Sequence, residues 1–439
     1  MVSKYAAARQ FGCFLALVVH AMSAAALEGP GDGLTPAAAA EEALRTNPDL
    51  RAAYAVIEIA RGRLVQAGLW PNPELSLSVV DDFAFQNEGE RGASVGLAQR
   101  FPIARRLARA RDLARVDVAL AVTEVREFER TLIGEVKGAV VSLLALDRAI
   151  VEQSRVIAAA GTLAQASSER FRVAEVSEAD VNLLEIELAR FRQDLRLLEL
   201  ERGTEGLRLN QLLNRPPEPP VAVAGDLGAP LFSPSAPGQL AEDAISRRPD
   251  LHRFRLEQDR AGAEVRLARA EAWEDWTLGF GWDFDRQVFE NGPIGVKRDD
   301  FVGLGLTVPL PVFNRNQGRI TAAEAEGRRA VAQALGRERL VEMEVGTEFR
   351  RVAELTRIAA EYRDRIVPRA TRNVRLLEKG YREGLVGVAA LVQAEQQYAE
   401  AAIRYARTLG ELRHAEVDLE TAAAASPLLK TKLSTEGKP

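Results

Sequence analysis

Between Trp276 and Asp285 the chain reads "WTLGFGWDFD": Trp276, Leu278, Phe280, Trp282 and Phe284 are large and apolar, and the residues between them are small or acidic. Strict period two predicts a β-strand with one aromatic face and one small, polar face. Similar alternation over about 74–80 (Leu75, Leu77, Val79) and 94–101 (Val95, Leu97, Phe101) predicts two more strands. The polar turn "DDFAFQNEGERG" joins them.

Nearly everything else has helical period. Thr35 is a natural N-cap with Pro36 behind it, opening a helix expected to run to about Gly68, where "WPNP" ends it. From Pro102 a helix is expected to about Arg172, with the seam Ile133, Val136, Val140, Leu143, Ile150, Ile157, Ala164 and Phe171. Asp147, Ser154, Gly161 and Ser168 fill its gaps, so it reads as a long coiled-coil helix with small and polar interruptions. After "RVAEVSE" the pattern runs back through Val181, Leu184, Leu188, Phe191, Leu195 and Leu198.

The chain is written twice. "AEEALRTNPDLR" at Ala40 returns as "AEDAISRRPDLH" at Ala241, "VGLAQRFP" at Val95 as "VGLGLTVP" at Val302, and "FRVAEVSEADVNLLE" at Phe171 as "YREGLVGVAALVQAE" at Tyr381. Collinear matches over most of the chain indicate duplication. The Pro-rich "NRPPEPPVAVAG" at Asn214 is the seam, which divides the chain into a first repeat over 27–213, a linker over 214–237, a second repeat over 238–425 and a disordered tail over 426–439. The second return helix carries Val388, Leu391, Tyr398, Tyr405, Leu409, Leu412 and Leu419. About 70 helical residues span ~105 Å, and the helices near 178–213 and 238–273 are each about half as long. Placed end to end, two half-length helices match one long one, which predicts a cylinder with strands at one end and hairpin tips at the other.

Lys4 and Arg9, the apolar "FGCFLALVVHAM" and the small "SAAA" form a secretory signal over 1–26. Cys13 lies inside the apolar run rather than behind a Leu-small-small motif, which argues against lipidation, and cleavage would remove this one cysteine. No later run of ~18 apolar residues is present, so an exported chain of this kind enters a membrane by strands or not at all. Two hairpins supply four strands, too few to close a barrel, and open edges in hydrocarbon cost several kcal/mol per unpaired group. Closure shared between chains resolves this. Trp70, Trp273, Trp276 and Trp282 fall at or inside the first strand of a hairpin, where an interfacial aromatic girdle belongs, and Phe280 and Phe284 continue the lipid-facing side. The alternative is a small sheet packed on the helices of a soluble protein.

The stretches "AEEALRTNPDLRAA", "WPNPELSLS", "VGLAQRFPIARRLARAR", "FRVAEVSEADVNLLEIELA", "VPLPVFNRNQGRI" and "YREGLVGVAALVQAEQQY", in this doubled order, resemble the TolC-like outer-membrane efflux proteins and within them the heavy-metal efflux branch. The resemblance implies a mostly α fold with membrane β structure: a long coiled-coil α-helical barrel, plus four strands per protomer in a twelve-stranded barrel shared by a homotrimer. It implies the outer membrane of a Gram-negative bacterium, a periplasmic adaptor, and a proton-driven inner-membrane pump. Adaptor-docking tips map to Ala174, Glu175, Val176 and Ser177 and to Gly384, Leu385, Val386 and Gly387. The same residues also read as simple turn formers. Family members that narrow the tunnel with acids after the second tip place them where this chain has Ala390 and Gln393, so an acidic ring is expected from Asp180, with Glu185 and Gln393 as further constriction candidates. Asp180 is equally explained as a first-turn acid favoured by the helix dipole.

A formal charge of -5 offers no basic field for nucleic acid. Past the signal, His252, His414 and Met343 are the only histidines and methionine, and neither a P-loop nor a Gly-x-Ser-x-Gly elbow occurs. No catalytic, cofactor or metal site is expected, and His414 reads as an ordinary helix residue. "RFPIARRLARARDLAR" reads either as a membrane-surface helix or as a solvated collar below the strands. Rival functions are an exported coiled-coil structural or adhesive protein, a periplasmic adaptor, and a TolC-like channel for drugs or other small solutes. An adaptor needs a strand-rich domain between its helical arms, and no such segment is visible.

Overall fold

The computed structural model describes residues 33–81, 89–289 and 295–429. The signal over 1–26, Cys13 and the tail from residue 430 lie outside these. The first half runs α1 (Pro36–Thr46), α2 (Pro48–Ala67), β1 (Glu74–Asp81), β2 (Arg91–Phe101), α3 (Arg106–Arg172) and α4 (Glu178–Leu212). The second repeats the order with α5 (Pro237–Arg247), α6 (Pro249–Glu271), β3 (Trp276–Phe289), β4 (Gly295–Thr307), α7 (Gln317–Glu361), a π-helical turn (Tyr362–Ile366), α8 (Val367–Arg382) and α9 (Val388–Ala422).

Four boundaries differ from the sequence reading, each for a local reason. The helix expected from Thr35 to Gly68 is two helices, because Pro48 lacks an N–H and holds Asn47 extended at ψ 124. Arg248, at ψ 125 before Pro249, breaks the second half in the same way. The long helix starts at Arg106 rather than Pro102, since Ala104 and Arg105 are left-handed at φ 53 and 58. Its counterpart in the second repeat is interrupted just ahead of Pro368, where the Val367 N–H reaches back five residues to the Tyr362 carbonyl.

The 67 residues of α3 span ~100 Å. α2 and α4 lie along one flank of it, and α6 and α9 lie between its other flank and α7 with α8. The wall is therefore one helix thick, and its cores are thin and rich in small residues. Ala39, Ala40, Ala43, Leu50, Val136, Val140 and Leu209 bury together in the first half, and Leu240, Ala244, Leu251, Val345, Ala415 and Leu419 in the second. Near the tips Val156, Leu184, Phe191, Val388 and Leu391 form a third cluster. α3 and α9 cross closely: a Cβ added to Gly410 would come within 2.7 Å of Ala145 Cβ.

Half-length helices laid end to end bring buried helix ends together, and their last carbonyls need donors. At the first junction Asn47 Nδ2 donates to Leu212 O at 3.0 Å and Thr46 Oγ1 to Leu213 O at 2.8 Å, while Asn47 Oδ1 accepts from Leu50 N. At the second junction Arg248, 2% exposed, donates to Ala422 O at 3.2 Å. The same guanidinium pairs with Asp250 at 2.7 Å and Glu344 at 2.6 Å, and Arg337 bridges both acids. Two further contacts pin the end of α9 to α3: Arg130 donates to Thr421 O at 2.7 Å, and Lys137 pairs with Glu420 at 2.7 Å.

Burial pushes the Asp250 carboxyl up, but hydrogen bonds and charge from Arg248 and Arg337 more than reverse this and hold it at about 2. A lowered carboxyl pKa stabilises the fold above its unfolded value near 4, and that contribution is lost as pH falls from about 4 towards 2. Arg248→Ala leaves the Ala422 carbonyl without its donor and Asp250 and Glu344 with Arg337 alone, and should cost about 2–3 kcal/mol. Asn47→Ala removes only a cap and one hydrogen bond and should cost about 1–2 kcal/mol. Helical circular dichroism followed through thermal and denaturant melts of both variants measures the difference.

Candidate channel and docking surfaces

The four strands form one antiparallel sheet in the order β1-β2-β3-β4, so the two hairpins pair with each other through β2 and β3. Register decides which residues share a face. One face carries the rows Leu75–Leu97–Phe280–Leu304 and Leu77–Val95–Trp282–Val302, followed by Val79–Ala93–Phe284–Asp300. Leu77, Val302 and Leu304 are 70, 69 and 80% exposed, so among the described residues nothing covers this face. The other face carries Ala98–Gly279–Gly305 and Gly96–Gly281–Gly303, then Ser94–Asp283–Phe301 and Gly92–Asp285–Asp299. It is small, and acidic towards the hairpin ends.

Trp276 pairs with Phe101, whose ring meets Trp70 edge-on at 6.0 Å. Trp70, Trp273 and Trp276 therefore collect where strands join helices, and Trp282 stands six residues further on, ~20 Å along the strand. Phe280 lies in the middle row of the apolar face, and Phe284, at its far margin, is half-buried. The soluble-sheet alternative fails on this geometry, because among the described residues the aromatic face packs on no helix.

At the opposite end the two tips close with the same Schellman turn. Glu175 N donates to Arg170 O and Ala174 N to Phe171 O, both at 2.9 Å; Leu385 N donates to Gly380 O at 2.8 Å and Gly384 N to Tyr381 O at 3.1 Å. Ala174 and Gly384 hold the left-handed position at φ 62 and 72. Ser177 and Asp180 form a capping box for α4, whereas Gly387 opens α9 without a side-chain cap. The tips sit side by side around an open concavity of about 580 Å³ lined by Ala174, Glu175, Val176, Ser177, Gly384, Val386 and Gly387. Arg170, stacked 5.0 Å over Tyr381 and paired with Glu175 at 3.1 Å, ties one tip to the other. Leu385 projects from the end, 75% exposed.

Residues 240–425 match the family model described as outer membrane efflux protein. Across 401 residues the chain is 25% identical to the cobalt-zinc-cadmium resistance protein CzcC of Cupriavidus metallidurans, covering 88% of this chain and 89% of that one. Its fold matches the solved structure of CusC with a TM-score of 0.73 at 15% identity over 89% of this chain and 92% of the other. The outer membrane protein VceC of Vibrio cholerae matches at 0.68 and 18% identity over 88% and 95%. The likeness covers both repeats, so the whole chain shares the fold of these solved proteins: a long helical segment carrying four antiparallel strands.

Within this fold the constriction candidates fare differently. Asp180 is half-buried in the tip concavity, and its Oδ2 accepts from Ser177 N at 3.2 Å and Ser177 Oγ at 2.8 Å, so its first task is capping. Glu185 and Gln393 are exposed on α4 and α9. The acid that stands out is Glu395, which the sequence reading passed over. It occupies the heptad slot seven residues after Val388, where an apolar residue is expected, and that break in the seam was the available signal. Burial, followed by the nearby charge of Glu378 on α8, pushes its carboxyl up to about 7. Among the described residues no group of three or more His, Cys, Asp or Glu is arranged to hold a metal ion.

A carboxyl raised in the folded state favours folding while protonated. The Glu395 penalty is absent below pH about 4.5 and accumulates as pH rises through about 7. Glu395→Gln should therefore raise the melting temperature of the purified protein at pH 8 and leave it nearly unchanged at pH 4.5. Equal shifts at both pH values would place the effect in packing rather than charge.

Proposed function

We propose that the chain is the outer-membrane channel of a tripartite efflux system and that it carries heavy-metal cations outward. The observation that carries this reading is the four-stranded sheet itself. One face is apolar and uncovered, the other is glycine-rich and acidic, and β1 and β4 each leave an unpaired edge. In hydrocarbon those edges require partners. Three copies closing twelve strands supply them and continue the helical wall beneath into a tunnel. Lipid then meets Leu77, Phe280, Trp282 and Leu304, and solute meets Gly281, Asp283, Asp285 and Asp299. Trp70 and Trp276 mark the periplasmic interface.

The tips are the surface offered to a periplasmic adaptor, through which a proton-driven inner-membrane pump delivers substrate. Their backbone turns are internally satisfied, Leu385 projects, and Gly387 has nothing within 4 Å of an added Cβ, so the end is built to receive a partner. The inward carboxylates favour cations, and Glu395, with Asp180, Glu185 and Gln393 near the same level, is where closure of the tunnel is expected. The CzcC likeness points the substrate towards divalent metal ions.

Phe280→Arg, on the lipid face, should block stable insertion at about 2–4 kcal/mol per protomer. Gly281→Ser, whose added Cβ would sit 3.8 Å from Asp283, should be tolerated. Outer-membrane yield and a heat-sensitive oligomer band on gels compare the two, and equal yields would count against this assignment of the faces. Ser177→Asp with Gly387→Asp should abolish resistance to cobalt, zinc or cadmium while oligomers still assemble, because the barrel is roughly 100 Å away. Cells lacking the chain that become sensitive to dyes or antibiotics but not to these metals would reassign the substrate.

A further inference from the structure

Beyond Phe284 the apolar face ends in a charged row that the channel reading does not use. Asp81, Arg91, Arg286 and Arg298 are directly paired neighbours on four successive strands. Each lies two residues beyond the row Val79–Ala93–Phe284–Asp300, so by the period of a strand all four project on the uncovered apolar side. They stand at the hairpin end of the sheet, away from the helices. Directly opposed like charges destabilise a sheet unless something neutralises them. Asp81 pairs with Arg91 at 3.0 Å. Arg286 and Arg298 make no ion pair among the described residues, and Arg286 Nε is buried without a hydrogen-bond partner. Asp300, one row nearer the apolar band on the strand of Arg298, makes no ion pair among the described residues either. Lys297 and Asp299, by contrast, pair with each other at 2.8 Å on the inward face.

We infer that this row is a binding site for the phosphate groups of an outer-leaflet glycolipid. The inference rests on the barrel reading, which puts the row on the lipid side at the outer margin of the hydrocarbon. From Trp276 to Phe284 the apolar rows extend ~26 Å along the strand, and tilt reduces this to about 20 Å of height, close to an outer-membrane apolar band. The row just beyond meets headgroups. Guanidinium forks match phosphate oxygens bidentately, and two adjacent arginines on strands ~4.8 Å apart can share one phosphate. Acyl chains of the same lipid then lie along Phe280, Trp282, Val302 and Leu304. An anion that carries its own apolar chains fits both surfaces, whereas a free phosphate fits only the arginines.

The test uses the full-length protein, purified as its oligomer in detergent, with diphosphorylated lipid A, dephosphorylated lipid A and inorganic phosphate as probes. Diphosphorylated lipid A should raise the melting temperature and remain bound through native mass spectrometry; the other two should do neither. Arg286→Gln with Arg298→Gln should weaken lipid A binding about tenfold or more, and Lys297→Gln, on the inward face, should leave it unchanged. If the double variant fails to assemble, Arg298→Gln alone gives the same comparison at an exposed position. Equal lipid A binding by wild type and variant overturns the site, as does an equal shift with dephosphorylated lipid. An equal shift with inorganic phosphate makes it a free-anion site and overturns the lipid assignment. Failure of the barrel reading is recognised separately, by wild-type protein absent from outer-membrane fractions.

Discussion

A wall one helix thick has nowhere to hide a helix end. α3 is continuous, but its flanks are filled by helices of half its length, and each place where two of them meet exposes orphan carbonyls inside the packed layer. The structure answers this in both repeats with the residue before a proline. Asn47 reaches the Leu212 carbonyl, and Arg248 reaches the equivalent Ala422 carbonyl. The proline breaks the incoming helix, and the broken residue becomes the donor that the outgoing helix lacks. Everything below and above depends on these two junctions, because they hold the tip-bearing helices in line with the strand-bearing ones.

The two repeats solve one problem with different chemistry. Asn47 satisfies its neighbours with a neutral amide and leaves no charge behind. Arg248 brings a buried cation, which then requires Asp250, Glu344 and Arg337 to balance it. Such networks add little net stability over apolar packing but are costly to break. The asymmetry extends along the wall. The first long helix is uninterrupted, while the second carries a π turn before Pro368, and the first tip has a capping box where the second has Gly387. Duplication gave the chain two copies of each element, and the copies have diverged where they face different neighbours.

Function is distributed along the length of this molecule. At one end a sheet separates apolar from acidic residues by strand register alone; at the other, two identical turns present a small concavity and a projecting leucine. Glu395 lies between them and near the tips, an acid lodged in an apolar seam. Its raised pKa links protonation to packing in the tip-proximal bundle. Asp180, which the sequence offers both as a tunnel acid and as a first-turn acid, accepts two hydrogen bonds at its own helix terminus.

Much of this was legible in the residues themselves. Period two in Trp276–Phe284, the seam from Ile133 to Phe171, the doubled order of motifs and the turn chemistry of Gly384 are local signals, and local signals survive in a linear string. The breaks at Pro48 and Pro249 were equally present, but a helical pattern continued across them and masked the loss of one N–H each. Other features exist only between distant segments. No periodicity states that β2 pairs with β3, which aligns Arg91 with Arg286 and sets Asp285 against Asp299. Nothing local ties Arg248 to a carbonyl 174 residues away, or gives Glu395 a carboxylate neighbour on another helix. Propensity and pattern fixed the elements because each depends on its own backbone; register, junction chemistry and pKa depend on what the fold brings alongside, and only the tertiary structure decides that.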